Sequence, residues 1–240
     1  MFDNVGLFVE TISAGLLLTV EATVGGIAIA TVLSFVAGLA MLSRWRAVRA
    51  LARIYVEIWR GTSEVVQLMW IYFVLPVLVG YQILPLAAGI VVLGLNFGAY
   101  GAEIVRGAVQ AVPRAQYEGA IALSLTPRQR MLRVVLPQAL VEMVPPMNNL
   151  FIQLLKGSSL LTIITVHEMT YQAREVLIDR FIPQAATIWT IVLLFYLALA
   201  VLITAAMRMV ERWAAALVGR RPPARRGVLA LLRRRREAPR

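Results

Sequence analysis

The sequence predicts an all-α integral membrane fold with five transmembrane helices. Three observations carry this. Hydrophobic residues fill 60% of the 240 positions, charged residues only 15%, and the mean hydropathy is +0.75. A soluble domain is usually about 45–50% apolar. The apolar residues gather into five runs, each near the ~20 residues needed to cross ~30 Å of hydrocarbon. The arginines fall in blocks between and after those runs, as in the flanks of membrane spans.

The first run covers roughly Thr11–Leu42 and is interrupted only by Glu21. Its Gly25-Gly26 pair and Gly38 permit close helix packing. The second covers roughly Ile54–Val79, and a short turn at Gly80–Ile83 separates it from the third, roughly Leu84–Val105. The fourth covers roughly Ala139–Val166, with Pro145 and Pro146 near its start. The fifth, roughly Ala185–Met207, is uninterrupted. Met1–Glu10 carries Asp3 and Glu10 and no basic residue, so it lacks the positive start of a cleavable signal peptide. The expected organisation is a short extracytoplasmic segment at 1–10, a transmembrane unit at 11–211 and a basic tail at 212–240.

Charge sets the expected orientation. Arg44, Arg46, Arg49 and Arg53 follow the first run. Arg106, Arg114, Arg128, Arg130 and Arg133 lie between the third and fourth. Eleven of the 24 basic residues follow the fifth, from Arg208 to Arg240. Only Arg174 and Arg180 lie in the Thr165–Gln184 loop. The positive-inside rule then places the N-terminus outside and the C-terminus in the cytoplasm. It leaves the Thr165–Gln184 loop, with His167 and Glu168, outside.

Several functions are excluded for want of material. With no cysteine there is no disulfide, thiolate metal site or thiol nucleophile. One histidine, His167, cannot build a multi-histidine site. The net charge of +11 is distributed as membrane flanks rather than as a nucleic-acid patch. The single lysine, Lys156, stands between Leu155 and Gly157, so no phosphate-binding P-loop exists.

The segment 113–137 is too polar for lipid and reads as two short helices joined by a turn. Ile121, Ala122 and Leu125 give the first an apolar side. Thr126-Pro127 is a helix start, with threonine as cap and proline at the first position. Met131, Leu132, Val134 and Val135 give the second an apolar face, and Leu136-Pro137 is expected to end it. An exposed apolar stripe calls for a partner; the alternative is a linker lying on the membrane surface.

Charges inside spans are costly and face a bundle interior or water. Glu57, Arg60 and Glu64 are spaced three and four apart in the second run, with Gln67 beyond them. They read either as an internal ion-pair ladder or as a polar wall suited to a zwitterion. Glu103 and Arg106 repeat the spacing near the end of the third run, and read as interfacial snorkelling or as path-lining. Lys156 lies deep in the fourth beside Ser158 and Ser159, and needs a partner or water.

Several separated motifs carry a family resemblance. Glu118-Gly119-Ala120, Leu123-Ser124-Leu125 and Leu136-Pro137-Gln138-Ala139 resemble the EAA loop of ABC importer permeases. Glu57-Ile58-Trp59-Arg60-Gly61-Thr62, Ala102-Glu103-Ile104-Val105-Arg106-Gly107 and Leu154-Leu155-Lys156-Gly157-Ser158-Ser159 resemble the polar amino-acid uptake permeases. The match runs from the first span to about Met209. It departs at Ser124, where glycine is common, at Gly119 in the alanine triplet, and at Ala115-Gln116. Ser124 can serve if the turn keeps an ordinary conformation. Ser63 replaces a common proline, a variant resembling permeases grouped with ectoine and hydroxyectoine uptake.

The resemblance implies the type I ABC importer permease fold in a bacterial cytoplasmic membrane. It implies a path for a polar amino acid or small zwitterion, switched by alternating access. The implied partners are a cytosolic ABC ATPase dimer docked on the Glu118 loop, a second permease subunit, identical or related, and an extracytoplasmic solute-binding protein. ATP and magnesium would be used by the ATPase, with no cofactor on this chain. The basic tail would lie on anionic lipid. The rivals are an ion-coupled secondary transporter and an intramembrane enzyme.

Overall fold

The computed structural model describes residues 4–219. The tail from 220 onward and residues 1–3 of the N-terminal segment lie outside them. The described residues form helices and no strand. Helix α1 (Val5–Ala14) and α2 (Leu16–Ala40) make one long apolar rod with a break at Gly15. Helix α3 is Arg46–Gly61 and α4 is Glu64–Val79. Helix α5 is Pro85–Ala111 and α6 is Arg114–Ala122. Helix α7 runs Pro127–Ile164, α8 is Met169–Ile178 and α9 is Ile182–Leu217.

Three of these helical stretches, Val5–Ala40, Pro85–Ala111 and Ile182–Leu217, are long and apolar enough to cross a membrane. The number becomes five if each bent pair counts as one span. The expected single helix at Ile54–Val79 is corrected: α3 and α4 meet at 102° across Thr62 and Ser63. Ser63 is extended, with φ −69° and ψ 130°, so the helical ladder stops there. The fourth span likewise bends, by 57°, between α7 and α8.

Helix α7 does not end at Leu136-Pro137, as the sequence suggested. A widened π turn at Met131–Val135 precedes the proline, and the helix continues to Gly157 before tightening to a 3-10 turn. Proline lacks an N–H and crowds the carbonyl four residues back. A π turn shifts that carbonyl and lets the helix pass. Helix α4 repeats the device, with a π turn at Trp70–Val74 just before Leu75-Pro76.

The core lies between α2, α5 and α7, around Leu93, Phe97, Val105, Met143, Leu150 and Leu154. Helices α2 and α5 approach backbone to backbone. A Cβ on Gly101 would overlap the Ser34 hydroxyl, and one on Gly38 would stand 2.7 Å from the Ala102 carbonyl. Without a hydrophobic force between helices in lipid, such close packing supplies the association. A second cluster joins Phe8 and Ile12 of α1 to Met169, Leu177 and Ile188 of α8 and α9.

Candidate functional site

The break between α3 and α4 opens a cavity of about 560 Å³. Glu64, in the first turn of α4, lines it with Lys156 of α7. Thr62 and Ser63 at the break, Asn96 and Tyr100 of α5, and Gln153 and Ser159 of α7 complete its polar lining. Glu64 is half-buried and sits where a helix N-terminus favours an anion. Among the described residues no ion pair joins Glu64 to Lys156 or either to a third group. One cavity therefore holds both signs of charge, unneutralised, beside amide and hydroxyl groups.

The other charges read from the sequence do not line this cavity. Glu57 is exposed on α3. Arg60 pairs with Glu103 at 3.8 Å, not with Glu57 or Glu64, and lies 5.1 Å from the centre of the Tyr100 ring. The expected Glu57–Arg60–Glu64 ladder fails because the helix breaks between Arg60 and Glu64, removing the shared face. Glu103 accepts twice from Arg106, at 2.6 and 2.8 Å, and Arg106 also donates to Gln110 at 2.9 Å. Tyr100 thus connects the cavity wall to this charged cluster.

Gln67 has a different place. Its amide donates to the Trp59 carbonyl at 2.9 Å and to the Thr62 hydroxyl. Asn96 donates to the same Trp59 carbonyl at 3.0 Å and to the Gln67 side-chain oxygen at 2.8 Å. A helix end inside a membrane leaves carbonyls that must be satisfied by the protein. These two amides satisfy the end of α3 and hold the bend.

The segment between α5 and α7 is an elbow. Thr126 and Gln129 form a reciprocal capping box at the start of α7. Ser124 does not keep an ordinary conformation: its φ is +55°. Leu125 N–H bonds the Ala120 carbonyl at 3.1 Å and Ser124 N–H bonds that of Ile121 at 2.8 Å. This is a Schellman stop with serine in the left-handed position usually held by glycine. Glu118, Gly119, Leu123 and Ser124 are exposed, Leu123 at 75%, while Ala120 is buried and Leu125, Leu136 and Pro137 are half-buried. Gln138 donates to Gln116 at 3.1 Å and Tyr117 to the Val109 carbonyl at 3.2 Å, tying the elbow to both rods. Burial pushes the Tyr117 phenol above its usual range, with Arg130 partly opposing.

Sequence reasoning placed Glu168 in the outer loop and gave it no role. It is fully buried at the bend between α7 and α8. Its carboxylate accepts from Thr162 at 2.6 Å, from the Thr170 and Tyr171 amides at 2.8 Å and from Tyr196 at 3.1 Å. The expected Thr165–Gln184 loop is therefore largely an ordered, capped helix. Asn96, Tyr100 and Gln153 were missed as well. Polar side chains within apolar runs are the signal that marks Asn96 and Gln153.

These features have counterparts in known proteins. Residues 11–215 match the family model described as binding-protein-dependent transport system inner membrane component. The chain belongs to this family. It is a permease subunit of an ABC importer, resident in the inner membrane. A probable amino-acid ABC transporter permease of Sinorhizobium fredii is 40% identical over 215 residues, covering 86% of this chain and 90% of that one. The glutamine transport system permease of Escherichia coli is 36% identical, covering 82% and 90%. The crystal structure of an amino acid ABC transporter with histidines superposes with a TM-score of 0.79 at 28% identity, covering 88% of this permease and 98% of that chain. An inward-facing methionine ABC transporter shares the fold, with a TM-score of 0.69 at 22% identity, covering 85% and 96%.

Proposed function

We propose that this permease forms the membrane path of an ATP-driven importer of polar α-amino acids. The cavity between α4, α5 and α7 is the substrate station. The observation that carries this is the unneutralised Glu64 and Lys156 facing one polar cavity. An amino-acid zwitterion offers an ammonium to the glutamate and a carboxylate to the lysine. Charges left unpaired in lipid are expensive, so a ligand that pairs both gains more here than in water. Relatives named for glutamine, L-cystine and arginine transport support the substrate class. Ectoine is a zwitterion of the same charge pattern and serves as the comparison solute.

The transmembrane unit is 11–211, with the N-terminus outside and the basic tail at 212–240 inside against lipid. A cytosolic ATPase dimer, using ATP and magnesium, grips the elbow through Glu118, Leu123 and their neighbours. A second permease subunit completes the path, and a solute-binding protein delivers substrate from outside. Arg60, Glu103 and Arg106 stand beside the cavity as a charged cluster, with Tyr100 between them and the substrate. Nucleotide binding closes the ATPase, moves the elbow and tilts α7, which carries Lys156 and Gln153.

The test is uptake of radiolabelled amino acids by the chain reconstituted with its ATPase and binding protein. Glu64→Gln and Lys156→Met should each cut uptake at least tenfold while binding-protein-stimulated ATP hydrolysis persists. Uptake by the chain alone under an ion gradient, indifferent to ATP, would overturn the reading in favour of a secondary transporter.

A further inference from the structure

Helix α3 has three faces. Ala52 and Val56 are buried, Trp59 is half-buried, and the half-buried Tyr55 donates to the Leu95 carbonyl of α5 at 2.7 Å. A second face, Ala47, Leu51, Ile54 and Ile58, is apolar and exposed, Leu51 at 69%. The third carries Arg46, Arg49, Arg53, Glu57 and Arg60 at spacings of three and four. Arg44 and Trp45, the latter 65% exposed, lead into it.

The first half of this helix is electrostatically incomplete. Among the described residues, no carboxylate lies within 4 Å of Arg44, Arg46, Arg49 or Arg53. The first turn of α3 holds no acidic residue and its start has no side-chain cap. Cations at a helix N-terminus oppose the helix dipole, so this arrangement is unfavourable until an anion is supplied. The neighbouring apolar face requires a nonpolar surrounding at the same level. An acidic protein surface would answer only the charge. A phospholipid answers both demands, with a phosphate for the guanidiniums and acyl chains for Leu51, Ile54 and Ile58.

We propose that the Arg44–Arg53 segment is a binding site for anionic phospholipid headgroups. Arg46, Arg49 and Arg53 hold the phosphates, and Trp45 sits at headgroup depth as an aromatic anchor. The site rests on membrane residence and not on the transport reading above. Its partner is recognised by negative charge, so phosphatidylglycerol is preferred to phosphatidylcholine. The site holds the first half of α3 at the interface, while its far end, bracketed by Gln67 and Asn96, lies in the core.

The test is spin-label electron paramagnetic resonance on the full chain in phosphatidylcholine vesicles doped with spin-labelled phosphatidylglycerol or phosphatidylcholine. The readout is the motionally restricted fraction of each lipid at the protein surface. The parent chain should prefer phosphatidylglycerol. Arg46→Gln, Arg49→Gln and Arg53→Gln together should lower that preference by at least about fivefold, the loss expected even if only one of the three meets a headgroup. Arg233→Gln, Arg234→Gln and Arg235→Gln remove the same charge from the tail and should lower it less. The matching Arg→Lys triple on α3 keeps the charge and should keep the preference. Equal loss from the α3 and tail triples would overturn the site, leaving only net charge. Loss in the lysine triple would overturn its electrostatic basis. An unchanged lipid preference with lost copurification of the ATPase would reassign the arginines to a protein surface.

Discussion

Ser124 and Thr165 stand in left-handed backbone, with φ of +55° and +59°. They bracket α7, one at the elbow and one at the bend before Glu168. Each stops a helix by the same pair of backbone bonds: Thr165 N–H bonds the Thr162 carbonyl and Val166 N–H that of Leu161. A residue with a Cβ pays about 1–2 kcal/mol for this conformation, which glycine adopts freely. Ser124→Gly should therefore stabilise the chain by about 1 kcal/mol, read as a higher midpoint of thermal aggregation in detergent. A fall in that midpoint would mean the serine hydroxyl holds a contact worth more than the strain. Glu168 is the other decisive residue. Its four hydrogen bonds join α7, α8 and α9. Glu168→Ala strands two amides and the Thr162 hydroxyl, while Tyr196 keeps Thr170 as a partner, and each orphan costs about 1–3 kcal/mol. The expected outcome is a chain recovered in much lower yield from membranes, with Glu168→Gln intermediate.

At the scale of elements, the break between α3 and α4 shows how a span can be interrupted without exposing its backbone to lipid. Asn96 and Gln67 share the Trp59 carbonyl and bond each other. Interhelical hydrogen bonds of this kind average about 0.6 kcal/mol in membranes, so coupling rather than single loss is the informative quantity. Asn96→Leu and Gln67→Leu should each lower thermal stability, and the double variant should lose less than the two losses added. Full additivity in that double-mutant cycle would show that the two amides do not act as one bracket. The glycine contacts are less forgiving. A Gly101→Val side chain would be driven into Ser34 on the facing helix, and overpacking costs about 1–3 kcal/mol. Poor assembly of α2 against α5 is expected, seen as protease sensitivity of the purified chain.

Across the whole molecule, two regions some distance apart must be coupled. The elbow is exposed, the cavity lies between α4, α5 and α7, and both α5 and α7 run from one to the other. Helix α7 is one continuous rod of 38 residues from Pro127 to Ile164, about 57 Å at a rise of ~1.5 Å per residue. Movement at the capped start of α7 is therefore carried to Lys156 unless the π turn at Met131–Val135 absorbs it. Glu118→Arg should abolish ATP-dependent uptake and uncouple ATP hydrolysis from the binding protein. The chain should still insert and fold, because Glu118 is exposed and lies outside the hydrophobic clusters. A mutant that fails to fold would assign the elbow to stability instead.

The five apolar runs, the arginine blocks and the Thr126-Pro127 helix start were legible along the chain, because lipid solvation and helix capping act on residues close in sequence. The elbow and its motifs were legible for the same reason, as was the membership they pointed to. The charges that share a cavity were not. Glu64 and Lys156 are 92 positions apart, and only the break at Thr62–Ser63 turns one toward the other. The neighbours Arg60 and Glu64, which spacing alone would pair, are parted by that same break. Nor could composition show that Pro137 would be carried inside a helix, or that Glu168 would be buried on four donors. Hydropathy and spacing report a residue's preference for water or lipid and its place on an ideal helix. Where a helix bends, widens or closes on a distant partner depends on which backbone groups the surrounding helices can satisfy, and that is settled by packing in three dimensions.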